Sequence, residues 1–128
     1  MAYYVCDTHA LVWYLTGSSS LSQRAKDIML RAERGNEQIF VPTIVLAELL
    51  TIAEKKRASV DVNSVLDVLG RAVGFLVTSF DYRVFIEMIS LDGDLELHDR
   101  VVAATSQILN APVITMDPKI SGKVPVVW

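Results

Sequence analysis

The chain has a single cysteine and two histidines among 128 residues, and long apolar runs are missing. Cys6 therefore has no partner for an internal disulfide, and two histidines without a cysteine set do not make a zinc site. The longest nearly apolar run, residues 39 to 53, is interrupted by Pro42 and Glu48. It falls short of the roughly 20 residues that span a bilayer, so no membrane segment is expected. The opening "MAYYVCD" has no basic stretch ahead of an apolar one, which gives no secretory signal and an expectation of a cytoplasmic protein. High net charge is also lacking. With 52% hydrophobic and 21% charged residues, the composition is that of a globular chain able to bury a core, and the length fits a single domain over 1-128.

What is present is an alternation. Short β-branched or aromatic runs at 3 to 6, 39 to 41, 75 to 78, 112 to 115 and 124 to 127 read as strands buried on both faces. Helical spacing fills most of the gaps. Residues 22 to 34 repeat apolar positions at Ala25, Ile28, Met29 and Ala32, with Ser20 or Ser22 as the cap and Gly35 as the stop. Residues 62 to 73 group Val62, Val65, Leu66, Leu69 and Val73, and 81 to 90 group Val84, Phe85, Met88 and Ile89, each set predicting a core-facing stripe. A further helix follows His98 and ends near Asn110. Strands alternating with helices predict an α/β fold with a mainly parallel sheet of about five strands covered on both faces.

The carboxylates fall at informative places. In open parallel sheets the working crevice lies beyond the carboxyl ends of the strands. Asp7 directly follows the first strand, and Asp117 follows the strand in "VITMD". Glu48 stands on a helix beginning near Thr43, with Ile44, Val45, Thr51 and Ile52 three and four residues away, so it needs a partner or a proton. Asp99 opens the helix "HDRVVAATSQ". Each acid also has an ordinary structural explanation: Asp7 and Asp99 as helix caps, Glu48 beside a buried arginine, Asp117 in an Asp-Pro turn. Four acids gathered in one crevice are another matter, because their repulsion must be relieved by protons, bases or a cation. No lysine or arginine immediately flanks Asp7 or Glu48, and all-oxygen ligation favours Mg²⁺ or Mn²⁺. The formal charge of −3 argues against a nucleic-acid partner only until those four acids are assigned to a cation site, which leaves the remainder at +1. Asp92, Asp94 and Glu96 read as solvated loop charges, with the approach of Asp94 or Glu96 to the site as the lesser alternative, and Lys55, Lys56 and Arg57 as a solvated helix end.

The ordered set "VCDTHALVWYL", "VPTIVLAELL", "LHDRVVAATSQ", "APVITMDPKI" and "VPVVW" resembles the PIN domain, and specifically the VapC-like toxins of VapBC toxin–antitoxin modules. The resemblance runs from end to end. It implies a three-layer α/β/α sandwich and a metal-dependent ribonuclease whose acidic quartet matches Asp7, Glu48, Asp99 and Asp117. Thr8 and Thr115 would support that quartet from behind. It further implies an RNA substrate, Mg²⁺ or Mn²⁺ as cofactor, a homodimer, and a VapB-like antitoxin whose C-terminal segment covers the site. Trp13, Tyr14 and Leu15, expected beside the crevice on the first helix, could receive such a segment or simply pack in the core; Trp128 is expected in the core or at a dimer edge. Two other readings stand beside this one. A receiver-type phosphate-signalling domain also collects strand-end aspartates, but it wants an acidic pair after the first strand, where this chain has Asp7, Thr8 and His9. A PIN-like module that binds RNA or protein without cleaving it would be marked by a missing acid, and no acid is missing.

Overall fold

A computed structural model of the chain describes residues 1–91 and 93–128; Asp92 lies outside the described residues. The elements run β1 (Tyr3–Cys6), α1 (Thr8–Thr16), α2 (Gln23–Glu33), β2 (Gln38–Pro42), α3 (Thr43–Glu54), α4 (Val62–Arg71) and β3 (Phe75–Thr78). They continue with α5 (Tyr82–Ile89), α6 (Leu97–Leu109), β4 (Val113–Ile114), α7 (Pro118–Ser121) and β5 (Val126–Val127). The five strands form one sheet in the order β3-β2-β1-β4-β5, and all four pairings are parallel. Crossovers step one way from β1 to β3 and the other way from β3 to β4 and β5. With right-handed connections that reversal puts helices on both faces of the sheet. The result is the expected three-layer α/β/α sandwich.

Burial follows the order of strands. Val5, Cys6, Ile39, Val41, Val113 and Ile114, on the three central strands, have no exposed surface. Cys6 is thus a small apolar core residue, its thiol pushed far up by burial and by the charge of Asp7. β3 departs from the expectation of strands buried on both faces: Leu76 and Val77 are exposed. It pairs with β2 alone and forms the outer edge of the sheet.

Local signals account for most helix ends. The Ser22 hydroxyl accepts from the Ala25 N–H at 3.1 Å, and Gly35 closes α2 at φ +84°, a left-handed conformation that glycine adopts without Cβ strain. Asn110 ends α6 in the same region at φ 51°. The short helix α7 was not expected; Asp117 caps it, with Pro118 at its first position. The stripes on α4 and α5 are also rotated from expectation. On α4 Val65 and Val68 are buried while Leu66, with Val73 beyond the helix end, is exposed. On α5 Val84 and Met88 face inward while Phe85 and Ile89 face outward. Both helices carry more apolar residues than one buried face can use.

Candidate functional site

The direction of chain crossover reverses between β1 and β4, and the crevice opens there, beyond their carboxyl ends. Asp7 leaves β1 and at once caps α1, its Oδ1 accepting from the Ala10 N–H at 2.9 Å. Its Oδ2 accepts from the Thr115 hydroxyl, just past β4. That hydroxyl in turn accepts from the Asp117 N–H at 3.0 Å. One threonine therefore ties the two strand-end aspartates together across neighbouring strands. Asp117 Oδ1 accepts from the Lys119 N–H at 2.9 Å, which fixes the second carboxylate at the head of α7.

The other two acids come from α3 and α6, which pack against each other. Asp99 lies in the first turn of α6, and its structural role is not that of the cap, which is Glu96. Glu48 meets no arginine. Its Oε2 lies 2.9 Å from His98 Nε2, while Oε1 is buried without a hydrogen-bond partner among the described residues. His98 Nε2 also lies 3.5 Å from Asp99 Oδ1 and 3.7 Å from Glu96 Oε2. Asp7, Glu48, Asp99 and Asp117 all line one open cleft of about 420 Å³, and Thr8 lines it with them. Thr115 stands behind it, buried.

Charge is concentrated here beyond what the local bases offset. Asp7 is only 8% exposed. Burial raises its pKa, and Asp117 adds to the rise, against the opposing help of the Thr115 hydroxyl, the Ala10 N–H and His9. Asp99 is raised in the same sense, first by burial and then by the charges of Asp117, Glu48 and Asp7, with His98 opposing. Arg100, the nearest arginine in sequence, turns away: its guanidinium donates to the carbonyls of Met88 at 3.0 Å and Leu91 at 2.8 Å, closing the end of α5. Two raised carboxyls, an orphaned buried carboxylate oxygen and an all-oxygen quartet fit a hard divalent cation.

The sequence reading missed His98 and favoured the other alternative for Glu96. Among the described residues, potential ligand atoms of Glu96, His98 and Asp99 lie within 4.8 Å of one another. Glu96 therefore approaches the cleft rather than standing as a free loop charge, whereas Asp94 pairs with Lys123 at 3.4 Å. The available signal was adjacency: Glu96 and His98 lie within three residues of Asp99. The expected aromatic trio is split. Trp13 lines the cleft, but Tyr14 and Leu15 line a separate groove with residues of α2 and α4. Trp128 is half-buried, set edge-on to Trp13 with ring centroids 5.8 Å apart.

A parallel α/β sandwich with clustered acids at its crossover reversal defines the class. The profile of the PIN domain matches residues 4–123, and the chain belongs to the PIN domain family. Among solved structures, the fold is similar to a chain of VapBC2 from Rickettsia felis bound to a DNA fragment from its promoter. There the identity is 20% and the TM-score 0.74, covering 98% of this chain and 97% of that one. A toxin–antitoxin complex from Klebsiella pneumoniae matches at 21% identity and TM-score 0.68, covering 100% and 97%. The sarcin–ricin-loop-cleaving toxin VapC20 from Mycobacterium tuberculosis matches at 15% identity and TM-score 0.62, covering 93% of each chain. No curated protein matches the chain. Among the described residues no helix is long and apolar enough to cross a membrane.

Proposed function

We infer that the protein is a metal-dependent endoribonuclease acting in the cytoplasm as the VapC-like toxin of a toxin–antitoxin module. The observation that carries this reading is the convergence of Asp7, Glu48, Asp99 and Asp117 on one cleft in a PIN domain. Asp7 and Asp99, helped by Asp117, would hold Mg²⁺ or Mn²⁺; bound there, the cation lowers the pKa of water and offsets charge developing on the phosphate. Glu48, held in place by His98, would reach the cation through a water or orient the attacking water and accept its proton. Water oxygen bonds to phosphorus as the bond from phosphorus to the leaving sugar oxygen breaks, and that oxygen takes a proton from solvent. Thr115 and the α1 N-terminus keep both oxygens of Asp7 fixed, and Thr8 packs beside it in the cleft wall.

Two partners belong to this reading. A VapB-like antitoxin is supported by the fold's similarity to toxin–antitoxin complexes and by the groove that Tyr14 and Leu15 line with Leu30 and Val68. A homodimer is supported by α5, where Tyr82, Phe85, Ile86 and Ile89 form an exposed apolar stripe at helical spacing.

Cleavage of a mixed structured RNA pool tests the reading, with Mn²⁺ or Mg²⁺, with chelator, and with Asp7→Asn and Asp99→Asn in parallel. Cutting should require the metal and fall by at least about 100-fold in each variant. Near-normal cutting by either variant rules out the assignment of the quartet.

A further inference from the structure

The cleft does not end at the carboxylates. A second cleft, about 270 Å³, runs along α1 and α3 and shares His9, Trp13 and Glu48 with the first. Arg57, just past the end of α3, lines this second cleft, and Lys119 lines the first. Arg57 is exposed, and among the described residues neither cation meets a carboxylate. Trp13, shared by the two clefts, meets Trp128 edge-on and His9 in a tilted contact, with ring centroids 5.8 and 5.6 Å away. It is half-buried, so part of its indole remains available between the two clefts. An aromatic surface next to the acid quartet, followed by a cation, matches the alternation of base and phosphate along a single strand. A duplex keeps its bases stacked inside and cannot offer one to Trp13.

We propose that this second cleft is a nucleotide subsite, in which an unpaired base adjoining the scissile phosphate stacks on Trp13 and the next phosphate meets Arg57. The subsite rests on the ribonuclease reading and deepens it, assigning the base and the phosphate beside the cut to Trp13 and Arg57. It also gives the acidic cleft cationic neighbours for a polyanion, Lys119 in the first cleft and Arg57 in the second.

Binding separates this proposal from the activity on which it rests. With Asp99→Asn as the non-cleaving background and Mg²⁺ present, a short single-stranded RNA is titrated and followed by fluorescence anisotropy. Adding Trp13→Ala should weaken binding about 5- to 150-fold, while Trp13→Tyr, which keeps a ring and controls for folding, should lose far less. Adding Arg57→Ala should lower the slope of log K against log salt by about 0.7, the value of one single-strand phosphate contact. An abasic site moved along the RNA should weaken binding at one position in the Trp13 background and have little further effect there once Trp13 is alanine. Unchanged affinity in both variants, or an abasic penalty independent of Trp13, overturns the subsite and leaves the nuclease intact. Variants that keep RNA affinity but lose a co-expressed protein partner assign this wall to the antitoxin and also overturn it. A wild-type chain that neither binds nor cuts RNA removes the ribonuclease reading itself.

Discussion

Thr115 makes the clearest case for how single residues build this site. Its hydroxyl donates to Asp7 and accepts from the Asp117 backbone, so two acids that would repel are held at fixed positions by a neutral group. Asp7, Glu48 and Asp117 stood out in the sequence because strand ends and an apolar helix face are unusual places for charge, whereas Asp99, at a helix start, was singled out only by the family resemblance. His98 was not, because its partner Glu48 lies 50 residues earlier and only the packing of α3 on α6 joins them. Glu96 was hidden for a different reason: three acids crowd residues 92 to 96, and nothing in their order says which one turns inward. Asp99 also carries a stability prediction. Its folded pKa is raised, so the folded chain holds that proton more tightly than the unfolded one. Stability of the metal-free protein is therefore lost as pH rises from the ordinary carboxylate range through the raised value. Asp99→Asn removes that loss: in chelator at neutral pH it should melt above wild type, and the gap should close as the pH is brought below the ordinary range. A wild type that melts higher at neutral pH in chelator would show that burial and repulsion at Asp99 have been misjudged.

At the scale of elements, α5 shows what periodicity can and cannot reveal. Val84 and Met88 recur at one spacing and Phe85 and Ile89 at the same spacing one residue on, so the sequence offers two adjacent stripes and no means of choosing which is core. The fold turns Val84 and Met88 inward and leaves Ile89 64% exposed. Strand β3 was misread for a related reason, since a β-branched run has the same appearance at an edge as in the middle of a sheet. A contiguous exposed apolar helix face calls for a partner. Ile89→Glu places a charge on that face without touching the core. It should convert a dimer to a monomer in light scattering after gel filtration, with the melting temperature of the monomer little changed. A variant that still elutes and scatters as a dimer moves the homodimer contact away from α5. Helix ends were the most legible feature: Ser22, Gly35 and Asn110 act through local backbone chemistry that needs no tertiary knowledge.

Across the whole molecule, strand order explains why the acids meet. Asp7 and Asp117 are 110 positions apart, yet β1 and β4 are neighbours, and the reversal between them opens the crevice into which α3 and α6 deliver Glu48 and Asp99. The alternation of strands and helices implied that the sheet is parallel, but not that these particular strands are adjacent. Net charge was a poor guide at this scale. Asp7, Glu48, Glu96, Asp99 and Asp117 line one cleft with Lys119, while Arg57 lines the cleft next to it. If the four carboxylates act together as one divalent-cation site, calorimetric titration of Mn²⁺ without RNA should show saturable binding to wild type and a loss of at least about tenfold in affinity in Asp99→Asn. Equal binding by the two proteins, or no saturable binding to wild type, would contradict it.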